Sequence, residues 1–174
     1  MLRVLFVCTG NICRSPTAEA VLRQLVRDAG LSERVEVRSA GTQGYHVGQR
    51  ADRRSVEHAR RRGYDLQAHR ARQVSSEDFS AFDYVIAMDR GHEQELLRIA
   101  QGAGRQKLTL MMRYGGISGE ADVPDPYYGG SEDFEQVLNL VERAGRGLLA
   151  DIAARLAPKG SAAKTGPESQ AVHR

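Results

Sequence analysis

Cysteine is nearly missing: the 174-residue chain has two, Cys8 and Cys13. So few thiols make no disulfide framework, and their separation is not that of zinc ligands. Long apolar runs are missing as well. None approaches the roughly 20 residues that cross a bilayer as a helix. The opening Met1-Leu2-Arg3-Val4 does not read as a signal peptide, because its apolar run is short and belongs to a strand. Neither sign of charge dominates. The net charge is +3, and Lys159, Lys164 and Arg174 against Glu168 put much of it in the tail. Global charge therefore gives no argument for nucleic acid. The cluster Arg53, Arg54, Arg60, Arg61, Arg62 has no aromatic residue interleaved and is interrupted by Glu57, so it reads as a solvated helix face. No internal repeat is visible. These absences leave a cytoplasmic protein with reduced thiols as the simplest expectation, with no nucleic acid and no membrane as partners.

What is present is the composition of one globular domain, 41% hydrophobic and 27% charged. Leu2 to Val7 read as a strand buried on both faces. Ser15 is a plausible N-cap with Pro16 at the first helical position. Ala18, Val21, Leu22, Leu25, Val26 and Ala29 then recur on one helical face until Gly30. Val35 and Val37 predict a second strand ending near Ser39. A helix is expected from about Asp52 to Arg62, ended by Gly63, and an irregular stretch then carries His69, Phe79 and Phe82. Strands follow at Asp83–Met88 and Lys107–Met111, with a helix through Leu96, Leu97 and Ile99 between them. A Gly/Pro-rich segment, about Arg113 to Gly130, is long enough to suggest function. A last helix starts near Ser131 and presents Phe134, Val137, Leu138, Val141, Leu148, Leu149, Ile152 and Leu156. Strands alternating with helices predict an α/β chain: a single-domain open parallel sheet. The domain is expected over 1–156, and a disordered tail over 157–174.

The chemistry concentrates where the first strand meets the first helix. Cys8 and Arg14 enclose a turn of Thr9, Gly10, Asn11, Ile12 and Cys13, and Ser15 follows. Gly10 can take a positive φ at no steric cost, and Asn11 tolerates it. Such a turn aims successive N–H groups at one point, and a helix N-terminus adds more. Arg14 supplies a planar fork for two oxygens of a phosphate, in a place where its charge opposes the helix dipole unless an anion is present. The same positive field would favour a Cys8 thiolate facing the bound phosphorus. In the late loop, Asp125 stands between Pro124 and Pro126, a stiff arm able to hold a carboxyl over a leaving oxygen.

The run Cys8-Thr9-Gly10-Asn11-Ile12-Cys13-Arg14-Ser15-Pro16, with Ala18-Glu19 after it and Asp125-Pro126-Tyr127-Tyr128 late in the chain, resembles the low-molecular-weight protein tyrosine phosphatases over about residues 2 to 156. The resemblance implies four parallel strands in a doubly wound fold with helices on both faces. It implies hydrolysis of phosphotyrosine and small aryl phosphates through a cysteinyl phosphate, with no cofactor and no metal. Cys8 would be the nucleophile, Arg14 the phosphate clamp and Asp125 the general acid. Asn11 and Ser15 would shape the loop and hydrogen-bond the thiolate, with Ser39, His69 and Asp89 in support. Tyr45, Tyr127 and Tyr128 would wall a slot for an aromatic ring. Isoleucine at position 12 goes with phosphotyrosine enzymes, whereas relatives acting on phosphoarginine tend to carry threonine. Cys13 would form a reversible disulfide with Cys8 on oxidation. Partners would be phosphotyrosine proteins, a bacterial tyrosine kinase among them, and the protein a monomer or weak oligomer. Two other readings share the loop. Arsenate reductases that relay a disulfide need a cysteine downstream, and this chain has none after Cys13. A non-catalytic module that docks phosphorylated partners would be expected to lose the nucleophile or the acid, and both are present.

Overall fold

A computed structural model describes residues 1–159 of the chain. Its centre is one parallel sheet of four strands, in the order β2-β1-β3-β4. The strands are β1 (Leu2–Cys8), β2 (Val35–Gly41), β3 (Tyr84–Ala87) and β4 (Leu108–Leu110). The helices are α1 (Arg14–Asp28), α2 (Arg53–Arg61), α3 (Asp78–Ala81), α4 (Arg90–Ile99) and α5 (Ser131–Leu156). The first crossover runs from β1 to β2 on one side of β1, and the chain later returns to lay β3 on the other. The carboxyl ends of β1 and β3 therefore flank the point where strand order reverses, which is where open α/β sheets bind ligands.

The unbroken apolar run of β1 is explained by burial on both faces. Leu2, Val4 and Phe6 pack with Val21, Leu22 and Val26 of α1 and Val141, Leu148 and Ile152 of α5. Leu5 and Val7 point the other way, into Phe79, Phe82 and Leu96 from α3, the residues after it and α4. Each such side chain, fully buried, contributes about 1.5–3 kcal/mol. Layers on both faces fix the register of β1, because a slip by one residue would exchange the two sets.

Four local expectations change. β2 runs to Gly41 rather than Ser39, because Ala40 and Gly41 pair with Val7 and Cys8. The stretch carrying Phe79 holds the short helix α3, where Asp78 accepts the Ser75 N–H at 2.9 Å. The chain after β4 makes a 3-10 turn at Met111–Tyr114 before the long loop. Helix α1 begins at Arg14 with Cys13 as N-cap, so Ser15 is not the cap. The Ser15 hydroxyl is turned into the phosphate loop instead. Of the expected tail, residues 160–174 lie outside the described residues.

Candidate active site

The loop between β1 and α1 is built on one left-handed residue. Asn11 has φ 59°, the one non-glycine with positive φ among the described residues. Gly10, expected to supply that conformation, does not. A Cβ there would lie 2.8 Å from Cδ2 of His46, so a larger residue would have to displace that ring. Asn11 is wholly buried, and all its side-chain and carbonyl groups are used. Its Nδ2 donates to Ser15 Oγ at 2.8 Å and Ser39 Oγ at 3.0 Å. Its Oδ1 accepts the Arg72 N–H at 3.0 Å, and its carbonyl accepts from His69 Nε2 at 2.7 Å. These four hydrogen bonds, each worth roughly 0.5–1.5 kcal/mol, offset the roughly 1–2 kcal/mol cost of the left-handed backbone.

With the loop so held, no backbone N–H from Gly10 to Arg14 is given to a protein acceptor among the described residues. A concave set of free donors is an anion site. Helix α1 reinforces it, having no acidic residue in its first turn. The Cys8 sulfur lies at its floor, 2.9 Å from Ser15 Oγ.

Arg14 is 4% exposed. Its Nη1 donates to Asp89 Oδ2 at 2.8 Å and to the Val123 carbonyl at 3.0 Å, and its Nη2 stands 3.6 Å from Asp125 Oδ2. Asp89 immediately precedes α4, caps it through the His92 N–H at 2.8 Å, and thereby ties Arg14 to the turn between β3 and α4. Val123 comes from the long loop and donates its N–H to the Met88 carbonyl at 2.8 Å. That anchor delivers Asp125 to the site, where its Oδ1 accepts the Tyr127 N–H at 3.1 Å.

The resulting slot has a volume of about 210 Å³. Its floor is Cys8, Thr9, Gly10, Ile12, Cys13 and Arg14, and Tyr45, His46, Asp125, Tyr127 and Tyr128 rise around it. The Tyr127 and Tyr128 rings meet edge to face at 4.9 Å. Every residue expected at the site is thus at the slot, behind its loop or beside Arg14.

Several neighbours were not anticipated. His92, 3% exposed, joins Thr9 Oγ1 through Nε2 at 2.8 Å, and its Nδ1 lies 3.1 Å from Asp89 Oδ1. Glu19 accepts from Ser39 Oγ and pairs with Arg23. Arg54 stacks on Phe134 at 4.7 Å and Tyr127 at 5.4 Å, so this part of the arginine cluster braces the slot wall rather than a solvated face. Of the others, Arg60 and Arg61 pair with Glu57, and Arg62 with Glu135 and Glu142. Nothing in the periodicity of α2 or α4 separates these residues from ordinary surface and cap positions.

Burial sets the charge states around the loop. It pushes the Cys13 thiol up to about 12, against a hydrogen bond from Ser55 that pulls down, with the charges of Asp52, Cys8 and Asp125 adding to the rise. Cys13 therefore stays a thiol. Burial also lowers His69, and it lowers His92 with help from the Arg14 charge. The cation of the site is consequently Arg14 and not an imidazole.

Comparison with known proteins gives one consistent result. The family described as low molecular weight phosphotyrosine protein phosphatase matches residues 3–158. A Streptomyces coelicolor low molecular weight protein-tyrosine-phosphatase is 49% identical over 86% of this chain and 93% of its own. The crystal structure of an Entamoeba histolytica protein tyrosine phosphatase is 39% identical, with a TM-score of 0.86 over 89% of this chain and 99% of its own. Vibrio vulnificus Wzb, solved in complex with benzylphosphonate, is 32% identical with a TM-score of 0.75, over 86% of this chain and 98% of its own.

Proposed function

The chain belongs to the low molecular weight phosphotyrosine protein phosphatases and is a protein tyrosine phosphatase working through a cysteinyl phosphate, and we propose that Cys8, Arg14 and Asp125 carry the reaction. The Cys8 thiolate, receiving the Ser15 O–H, attacks phosphorus in line. The sulfur–phosphorus bond forms as the bond to the aryl oxygen breaks. The N–H groups from Gly10 to Arg14 and the Arg14 fork take the three equatorial oxygens. Asp125, protonated, gives its proton to the leaving phenolate. Water then attacks the cysteinyl phosphate, Asp125 takes the proton, and the thiolate departs with inorganic phosphate released.

The observation that supports this assignment most is the convergence of three elements on one slot: a sulfur at the end of β1, free N–H groups at the start of α1, and a carboxyl brought from the long loop. Cys8→Ser should abolish turnover of para-nitrophenyl phosphate. Asp125→Ala should slow it by about 10²–10⁴-fold, most for phenols that leave poorly. Turnover surviving in Cys8→Ser would rule out the covalent route.

Substrate reading rests on the slot walls. Tyr45, Tyr127 and Tyr128 sit where a phosphotyrosine ring would pass, and the Vibrio vulnificus relative was solved with benzylphosphonate, a phosphonate that carries an aromatic ring. With Ile12 on the floor, the slot favours an aromatic phosphate over phosphoarginine. The physiological partners we propose are phosphotyrosine proteins of the cytoplasm, including a bacterial tyrosine kinase, met by the protein as a monomer or weak oligomer. No helix among the described residues is long and apolar enough to cross a membrane.

Cys13 gives the site a redox response. Peroxide converts the Cys8 thiolate to a sulfenic acid, and the Cys13 thiol condenses with it, forming the disulfide and releasing water. Both sulfurs are free and buried in the resting state. After peroxide and then dithiothreitol, Cys13→Ser should recover less activity than the parent. Equal recovery would reject the protective role.

A further inference from the structure

Behind the phosphate loop, on the side of α1 and β2, lies a second cavity of about 330 Å³. It is larger than the catalytic slot and opens separately. Arg23, Arg38, Arg70 and Arg72 line it, against the carboxylates of Glu19 and Asp65. Some of these cations are already engaged: Arg72 with Asp78 at 3.0 Å and Arg38 with Glu36 at 3.0 Å, each carboxylate lying outside the lining. Arg23 pairs with Glu19. Among the described residues, Arg70 donates only to the backbone carbonyls of His69 and Gln67, at 2.7 and 3.3 Å.

The inner wall of this cavity is the support of Asn11. The His69 ring, the Arg72 backbone N–H and the Ser39 hydroxyl hold the Asn11 carbonyl, Oδ1 and Nδ2 respectively, and all three residues line the cavity. Whatever occupies the space therefore touches the residues that keep the loop in its left-handed turn. Glu19 shows which chemistry the space accepts. Its carboxylate is seated at the inner end against Arg23 and Ser39, with His69 Nδ1 at 3.8 Å.

We propose that this cavity is an effector site for a small di- or tricarboxylate, bound by Arg23 and Arg70 and acting on turnover through Asn11. A ligand carboxylate continues the pattern that Glu19 begins. Burial is the main cause that holds His69 down, with the Arg23 and Arg70 charges adding to it against Glu19; by engaging both arginines the ligand offsets their part. A charged His69 donates a stronger bond to the Asn11 carbonyl. Coupling of this kind, between two sites joined by a shared element, usually amounts to roughly 5–150-fold.

The test uses the full chain, para-nitrophenyl phosphate, pH 6.5 and fixed ionic strength, with citrate as the probe. Citrate should raise kcat by roughly fivefold, the lower end of the usual range of coupling, and leave KM unchanged. Arg70→Ala and Arg23→Ala, each compared with its own rate without citrate, should lose the response. A rise in KM alone would place citrate in the catalytic slot and overturn the proposal. So would an undiminished response in both variants, which would mark a general ionic effect. The kinetic arm rests on the catalytic reading, but a binding arm does not. In Cys8→Ser, citrate should move the His69 ring resonances and raise their titration midpoint. Unmoved resonances there would overturn the site itself, whatever became of the catalytic assignment.

Discussion

Asn11 concentrates two demands that ordinary substitutions confuse: a backbone turned to φ 59° and a side chain that bonds in three directions. Glycine keeps the first and loses the second, whereas alanine loses both. Both variants should lose turnover, because Ser15 and Ser39 are no longer set by the amide. Asn11→Ala should be less stable than Asn11→Gly by about 1–2 kcal/mol, the cost of a left-handed Cβ, as read by urea unfolding. Equal stability of the two would mean that the loop relaxes out of the turn once the amide is gone. Ser15 shows the opposite economy. Its hydroxyl is withdrawn from helix capping and given to the nucleophile, so α1 starts without a side-chain cap.

At the scale of elements, α5 closes the molecule through glycines. Gly145 faces Leu25 of α1, where an added Cβ would stand 3.2 Å from Cδ1. Gly147 is tighter, with a Cβ falling 2.2 Å from the Tyr114 carbonyl oxygen. Helix propensity alone favours alanine at either position by about 1 kcal/mol. At Gly147 the contact is with backbone of the 3-10 turn, which cannot rotate away as a side chain does. Overpacking, typically 1–3 kcal/mol and here against a rigid neighbour, wins. Gly147→Ala should therefore lower the thermal midpoint by several degrees, and a rise would show that the 3-10 turn yields. Gly41 poses the same problem nearer the chemistry: a Cβ there would be 2.5 Å from the Thr9 carbonyl. The end of β2 and the phosphate loop are thus in backbone contact, which ties the sheet to the site.

For the whole molecule, buried titratable groups bound the pH range of stability from both ends. His69 and His92 are held below the usual 6.5 by burial. The unfolded chain takes up those protons first, so stability should rise with pH up to about 6.5. Cys13, ordinarily ionising at 9.0, is pushed to about 12. Here the unfolded chain loses the proton first, so stability should fall as pH climbs above 9.0 towards 12. Tyr64 and Tyr84, each raised from 10.0 to about 12 by burial and by a carboxylate partner, act in the same direction. Denaturant titrations should show a plateau between these limits. Cys13→Ala should flatten its alkaline edge, and an unchanged edge would remove the thiol as its cause.

The sequence alone determined the order of the four strands and of every α-helix but the short α3, because apolar periodicity and Gly/Pro punctuation are local. It also determined the nucleophile loop, since Cys8 through Ser15 must form a tight turn between a buried strand and a helix, and that turn chemistry is written in consecutive residues. It marked Asp125 by its two prolines but could not place it. Only the tertiary structure decided that Asp125 comes to Arg14, because the long loop is anchored by bonds between residues distant in the chain: Val123 to the Met88 carbonyl and to Arg14, and Asp122 to Arg90. The same is true of His92, Glu19 and Arg54. Each works by meeting a residue far away in the chain, and no spacing encodes that meeting. It is true also of which residue bends the loop. Gly10 and Asn11 were both able to, and the choice fell to Asn11 because His69, Arg72 and Ser39 converge on it from three separate segments.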